Sequence, residues 1–192
     1  MSAGSRARVT LKLATSLDGR IALANGVSQW ITGPESRAEV HRMRAAHAAI
    51  LTGIGTILAD DPQLTARPEG VARPAQPDIL IMDTAGRTPA GASVHAESSR
   101  RVRIFRDRDL GAAMAGYPSV MIEAGSAIAA AALQAGLVDR IEWFRAPVVL
   151  GGDGLGAIAA LGLERLGAAP TFHRVSLVER GPDLHESYER VS

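Results

Sequence analysis

Lys12 is the one lysine among the 21 Lys and Arg residues of this 192-residue sequence. An ammonium is a compact donor whose pKa shifts readily, which arginine cannot copy, so the position invites a functional reading. It also has a plain one: a solvated strand lysine in a lineage that writes its cations as Arg. Glu123 opens the run Glu123-Ala124-Gly125-Ser126, where a strand passes into a helix whose first turns are nearly all Gly, Ser and Ala. Small residues there expose the free N–H groups of a helix N-terminus, and the dipole favours an anion such as a dinucleotide pyrophosphate. Taken alone, the run reads equally well as a tightly packed turn. Arg44 borders the inner stripe of a helix, whereas Arg42 points to solvent. Grouped with Ser28 and Arg67, Arg44 would grip a phosphate through paired charged hydrogen bonds. Trp30 sits in the polar stretch Ser28-Gln29-Trp30, either as a lid over a flat ring or packed back on the core. The run Gly151 to Gly156 lacks the G-x-G-x-x-G spacing and a surrounding βαβ unit, so it reads as a flexible turn.

Periodicity gives the elements that must position these residues. Val9, Leu11 and Leu13 alternate with Thr10, Lys12, Ala14 and Ser16, the period of a half-buried strand. Asp18-Gly19-Arg20 follows as a turn. Thr32-Gly33-Pro34-Glu35 carries the capping hydroxyl, early proline and early acid of a helix start. That helix runs to about His47, with Ser36, Val40, Met43 and His47 inward. Ala48 to Gly53 is a buried strand, followed by a short helical turn stopped at Asp60-Asp61-Pro62. Arg67 to Pro77, rich in Pro and Ala, is a surface loop. Asp78 to Asp83, Val102 to Phe105 and Val120 to Glu123 are short strands, Ser126 to Ala135 a helix, and Arg140 to Val149 a long strand. Thr171 to Val178 alternates like an antiparallel strand. This order predicts an α/β fold, mostly parallel in its sheet, with an antiparallel C-terminal end and flanking helices. Neither a repeat nor a linker interrupts it, so residues 1–192 read as one domain, with residues 1–8 a flexible start.

Composition narrows the function classes. The hydrophobic share of 46% and charged share of 21% are ordinary for a globular protein, and the net charge is +1. The one tight basic cluster, Arg100, Arg101, Arg103, Arg106 and Arg108, is mixed with Asp107 and Asp109, which is not a nucleic-acid footprint. No apolar run approaches the ~18 residues of a membrane span, and the start does not read as a signal peptide. Without any Cys, disulfides, thiolate nucleophiles and cysteine-ligated zinc are excluded. A cytoplasmic location is expected.

Several stretches, in order, resemble the reductase domain of the riboflavin-biosynthesis deaminase/reductase proteins. They are Leu11 to Arg20 (LKLATSLDGR), Ser28 to Thr32, Leu58 to Pro62 with Leu64-Thr65-Ala66-Arg67, Ile122 to Gly125, and Gln134 to Asp139. Their order is the signal; any one alone is weak. The resemblance implies a dihydrofolate-reductase-like fold, NADPH as cofactor and a homodimer. It implies reduction of 5-amino-6-(5-phosphoribosylamino)uracil to its ribitylamino form. Carried over by position, Ala14, Trp30, Thr56, Asp60, Thr84, Gly125, Ser126 and Ala127, the last three within a stretch reaching Ala131, contact the cofactor. Ser28, Arg44, Leu64, Arg67 and Glu123 contact substrate, with Ser28, Arg44 and Arg67 around its phosphate. For the chemistry itself, Lys12 and Glu123 are read as the polar groups near the reacting end. The basic cluster offers partners for a 2′-phosphate. Ser126 stands where the family often has proline, and the segment between Asp83 and Ser119 is short for the family. A zinc deaminase needs H-x-E and P-C-x-x-C ligands, which a Cys-free chain does not supply, so deamination of the precursor is expected from a separate activity. Competing readings are a same-fold reductase of a related diamino-pyrimidinone or pterin, and a non-catalytic nucleotide-binding homologue.

Overall fold

Val9, Leu11 and Leu13 are buried on one side of the first strand, β1 (Arg8–Thr15), as their alternation requires. The chain continues through β2 (Arg20–Ala22), α1 (Pro34–Ala46), β3 (Ala49–Gly53), α2 (Ile54–Asp60), β4 (Asp78–Met82) and β5 (Val102–Phe105). It proceeds through α3 (Leu110–Met114), β6 (Ser119–Ile122), α4 (Ser126–Gln134) and β7 (Arg140–Arg145) to β8 (Leu155–Gly156), β9 (Phe172–Arg180) and β10 (Asp183–Arg190). The structure is a computed structural model and describes residues 6–191. The flexible start expected for residues 1–8 therefore lies outside the described residues for 1–5, and Arg8 already belongs to β1. Among the described residues, no helix is long and apolar enough to cross a membrane.

Two compact units form, each from two stretches of the described chain: residues 6–9 with Ala38–Ala124, and Thr10–Arg37 with residues 125–191. In the first unit β3 lies between β4 and β6, with β5 beyond β4, and the pairs β3–β4, β3–β6 and β4–β5 are parallel. All five residues of β3 are buried, which is why its sequence is a short apolar run rather than an alternation. Ile50, Ile57, Leu64, Ile79, Ile81, Val94 and Met121 pack into one core. Each such side chain contributes roughly 1.5–3 kcal/mol by leaving water.

In the second unit β1 pairs parallel with β7, while β10 pairs antiparallel with both β7 and β9. The expected antiparallel end is present, but its inner strand is β10, which the sequence pattern does not announce. The reason is that β10 buries polar residues: Asp183, His185, Glu186 and Ser187. Each finds a partner. Glu142 of β7 accepts the Ser187 hydroxyl at 2.5 Å, lies 2.7 Å from His185 Nε2, and also takes Arg140 Nε. Burial works against its charge, but these hydrogen bonds outweigh it and hold the carboxyl below its ordinary pKa. Glu186 pairs with Arg145 at 2.9 Å. His185 stacks on Phe144 with ring centroids 4.0 Å apart. Asp183 takes the Gly33 N–H at 2.7 Å and the Ser36 hydroxyl at 2.6 Å. The start of α1 is thus capped by the carboxylate of the first residue of β10, where the Thr32 hydroxyl was expected, and a negative charge suits that helix end.

Two other expectations are corrected. β7 ends at Arg145, short of Val149, because Pro147 has no N–H for a ladder. Beyond it, Ala146 gives its N–H to Thr15 and Leu17 gives its own to Val148. The run from Gly151 to Gly156 is a turn, as read, but a pinned one. The Asp18 carboxylate accepts from the Ser16 hydroxyl at 2.6 Å, Leu150 N–H at 3.1 Å and Gly151 N–H at 2.8 Å, and β8 pairs with β2.

The Ser16 hydroxyl, then the Leu150 and Gly151 N–H groups, lower the Asp18 pKa from 3.8 to about 2. A depressed carboxyl stabilises the fold above its unfolded pKa, and that contribution disappears as pH falls through the folded value. Asp18→Asn is therefore expected to melt at lower temperature at neutral pH. It is also expected to show a flatter acid limb between pH 3.8 and about 2. Melting curves across that range check this; parallel limbs for the two proteins would remove Asp18 as the anchor of the glycine-rich turn.

Candidate functional site

Glu123 follows the C-terminal end of β6 and gives its N–H to the Leu51 carbonyl of β3 at 3.0 Å. Its position is therefore set by the parallel sheet of the first unit. Arg44, in the last turn of α1, donates from Nε to Glu123 Oε1 at 2.7 Å and from Nη2 to Oε2 at 2.9 Å. This is a two-pronged guanidinium–carboxylate pair, the strong geometry for such groups. Glu123 is 9% exposed. Burial disfavours the Arg44 charge, yet Glu123 more than compensates and raises its pKa. Both oxygens of Glu123 are engaged by the guanidinium, and a carboxylate so held keeps further lone pairs that can accept a hydrogen bond.

Arg44 Nη1 also donates to the Thr65 carbonyl at 3.2 Å, and His41 Nδ1, one turn earlier, lies 2.9 Å from the same oxygen. The carbonyl partner assigns the proton to Nδ1. Burial and then the neighbouring Arg44 lower the His41 pKa. Around Thr65, the segment Leu64 to Arg67 joins this cluster. Leu64 is buried with φ of 51°, a left-handed conformation rare for leucine, and its carbonyl accepts from Arg100 Nη1 at 2.8 Å. Arg100 Nη2 reaches the Gln63 carbonyl and the Val94 carbonyl, the latter at 3.0 Å. Arg67 is exposed, with Nη1 3.4 Å from the Gln63 side chain.

Four of the sequence-derived substrate residues, Arg44, Leu64, Arg67 and Glu123, thus belong to one unit and one neighbourhood. Ser28, half-buried, belongs to the other unit. The cofactor residues divide similarly. In the first unit Thr56 is half-buried and Asp60 exposed on α2, and Thr84 is exposed in the turn after β4. That turn is held by Asp83, whose carboxylate takes the Thr88 N–H and hydroxyl. Burial opposes its charge, but hydrogen bonds from Arg87 and Thr88 prevail and lower its pKa to about 2. In the second unit Lys12 and Ala14 are half-buried on β1, in register with Glu142 and Phe144 of β7. Trp30 is 70% exposed, with the Arg37 guanidinium 4.7 Å from its ring.

Gly125 precedes the first helical residue of α4 without a side-chain cap, and space around a Cβ placed there is open. Gly125 and Ser126 are half-buried and Ala127 is exposed, so the first turn presents main chain and small side chains. Such a turn fits a dinucleotide pyrophosphate, because the unsatisfied N–H groups and the dipole both favour an anion. Of the basic cluster, Arg100 is spent on carbonyls and Arg101 on Asp78, with contacts of 2.9 Å and 2.7 Å. Arg100 is buried and so not available to a 2′-phosphate, whereas Arg101, Arg103, Arg106 and Arg108 are exposed. Sequence reasoning missed His41, Gln76 and Arg100. Gln76 lies in a stretch read as a plain surface loop, and Arg100 in the basic cluster offered to a 2′-phosphate.

The fold is dihydrofolate-reductase-like: dihydrofolate reductase of Enterococcus faecalis, in a complex with NADP(H), superposes with a TM-score of 0.60 at 13% identity, covering 96% of this chain and 97% of that one. Within that class the chain belongs to the RibD C-terminal domain family, whose pattern matches residues 7–186. The riboflavin biosynthesis protein RibD of Mycobacterium tuberculosis is 38% identical over 178 residues, 92% of this chain and 52% of the relative. The Acinetobacter baumannii RibD structure has a TM-score of 0.88 at 30% identity, covering 97% of this chain and 59% of that one. A deaminase/5-amino-6-(5-phosphoribosylamino)uracil reductase of Thermotoga maritima gives 0.81 at 27%, covering 97% and 57%. This chain therefore spans about half the length of the curated relatives it matches.

Proposed function

We propose that this chain reduces the ribose of 5-amino-6-(5-phosphoribosylamino)uracil to the ribitylamino product, with NADPH as reductant. The observation that carries the reading is the buried Arg44–Glu123 pair bonded to the Thr65 carbonyl, beside Leu64 and Arg67. It supplies a fixed acceptor for sugar hydroxyls and, on Arg67, an exposed cation suited to a terminal phosphate. When the ribose opens, its first carbon forms a C=N bond to the exocyclic nitrogen. Bound NADPH would supply a hydride for this carbon and the nitrogen would take a proton, so the balance is one hydride and one proton.

Lys12 is the proton donor in this reading. Glu123 is unsuited, because a carboxylate paired at both oxygens with a guanidinium has no proton to give. Ser28, Arg44 and Arg67 hold the phosphate end, and phosphate binding remote from the reacting carbon is used for alignment. Ala14, Trp30, Thr56, Asp60, Thr84 and the turn Gly125-Ser126-Ala127 hold the cofactor. The chain works as a homodimer in the cytoplasm, and a deamination must precede its step.

The test is NADPH oxidation, followed by absorbance, with the deaminated phosphoribosylamino pyrimidine as substrate. Oxidation is expected only with both components present, and with higher kcat/KM for NADPH than for NADH. Enhanced NADPH fluorescence with no turnover on any phosphoribosyl pyrimidine would establish a binding module instead.

A further inference from the structure

The segment Gln63 to Ala66 has main-chain groups held one after another by side chains from elsewhere in the first unit. Arg100 takes the carbonyls of Gln63 and Leu64, and His41 and Arg44 take that of Thr65. The last link is Gln76. Its Oε1 accepts the Ala66 N–H at 2.9 Å and its Nε2 donates to the Ala66 carbonyl at 2.8 Å. One side-chain amide thus satisfies both main-chain groups of a single buried residue, as a neighbouring strand would. The same Nε2 lies 3.4 Å from the Pro74 carbonyl, which favours the amide orientation that donates in this direction.

The residue immediately after this clamp is Arg67. Its side chain is exposed, so packing does not fix where it points. What the fold fixes is the backbone from which the guanidinium starts, and for residue 66 that is the work of Gln76. A displacement of about 1 Å at a binding group is enough to lose much of its effect on a bound substrate.

We propose that Gln76 is a positioning residue for substrate binding: by clamping Ala66 it presents Arg67 to the phosphate of the substrate. The proposal rests on the reading of Arg67 as a phosphate ligand given above. It makes Gln76 a determinant of substrate affinity without contact to substrate, cofactor or the reacting carbon.

Gln76→Ala, Arg67→Ala and the double variant test this in the NADPH-oxidation assay with the phosphoribosylamino substrate. Gln76→Glu is added because it keeps an acceptor for the Ala66 N–H and loses the donor. Gln76→Ala is expected to raise KM about tenfold through misplacement of Arg67, with kcat and NADPH affinity close to those of the parent. Gln76→Glu is expected to fall between the two. The double variant is expected to bind substrate no worse than Arg67→Ala, because the clamp acts through that side chain, and the Ala66 amide is expected to exchange faster in Gln76→Ala. An unchanged KM in Gln76→Ala, with Arg67→Ala still impaired, overturns the clamp and leaves the phosphate reading standing. An unimpaired Arg67→Ala overturns both. Additive losses in the double variant, or NADPH affinity falling together with KM, mark a general structural role and overturn the proposal.

Discussion

Arg44→Ala is expected to lose stability and substrate affinity together, while the protein that remains folded binds NADPH normally. Removing the guanidinium takes from buried Glu123 the cation that engages both of its oxygens, and deleting one partner of such a pair costs about 3–5 kcal/mol. It also removes one of the two donors to the Thr65 carbonyl, leaving His41 alone at that oxygen in the segment that leads to Arg67. Urea unfolding measures the first loss, and KM for the phosphoribosylamino substrate measures the second. The two losses separate in Arg44→Met combined with Glu123→Gln, which replaces the ion pair by neutral groups of similar volume. Stability should return in part, whereas substrate affinity should not, because both the cation and the ionised acceptor are gone. A variant that weakened NADPH and spared the substrate would show that the pair serves the cofactor and not the substrate.

Lys12→Arg is expected to fold, bind NADPH and lose turnover by a factor on the order of 10²–10⁴, the usual contribution of a placed proton donor. The substitution keeps a positive charge on the half-buried middle of β1 and changes its shape and its acidity. A guanidinium does not release a proton at neutral pH, so a donor role fails even where the charge is retained. A lysine with no part in the reaction would tolerate arginine within about ±0.5 kcal/mol of stability and with ordinary turnover. Parent-like kcat in Lys12→Arg would therefore remove Lys12 from the reaction. A lowered kcat with unchanged KM would place its contribution in the transition state rather than in binding.

Much of the fold is legible in the residue order because apolar runs carry their own signal. Β-branched and apolar stretches such as Ala49–Gly53 and Asp78–Met82 form strands wherever a sheet can cover them, and the order of strands and helices sets the α/β class. The polar half of the second unit is not legible in the same way. β10 reads as Asp-Leu-His-Glu-Ser-Tyr-Glu-Arg, and nothing local marks His185, Glu186 and Ser187 as buried. Their burial becomes affordable only through Glu142 and Arg145, some forty residues earlier in the chain.

The candidate site divides along the same line. By itself the sequence determines the residue types with the right chemistry, the single lysine, the small-residue turn at Gly125 and the ordered motifs that mark the family. Tertiary structure decides which of them are engaged with one another. Arg44 and Glu123 lie 79 positions apart and meet because α1 and the end of β6 belong to one unit. Arg100, one of a run of surface-like arginines, is turned inward onto carbonyls, and Gln76, in an unremarkable loop, holds Ala66. A backbone carbonyl or amide left over by an irregular segment must find a partner, and no local pattern of side chains records which residue will supply it.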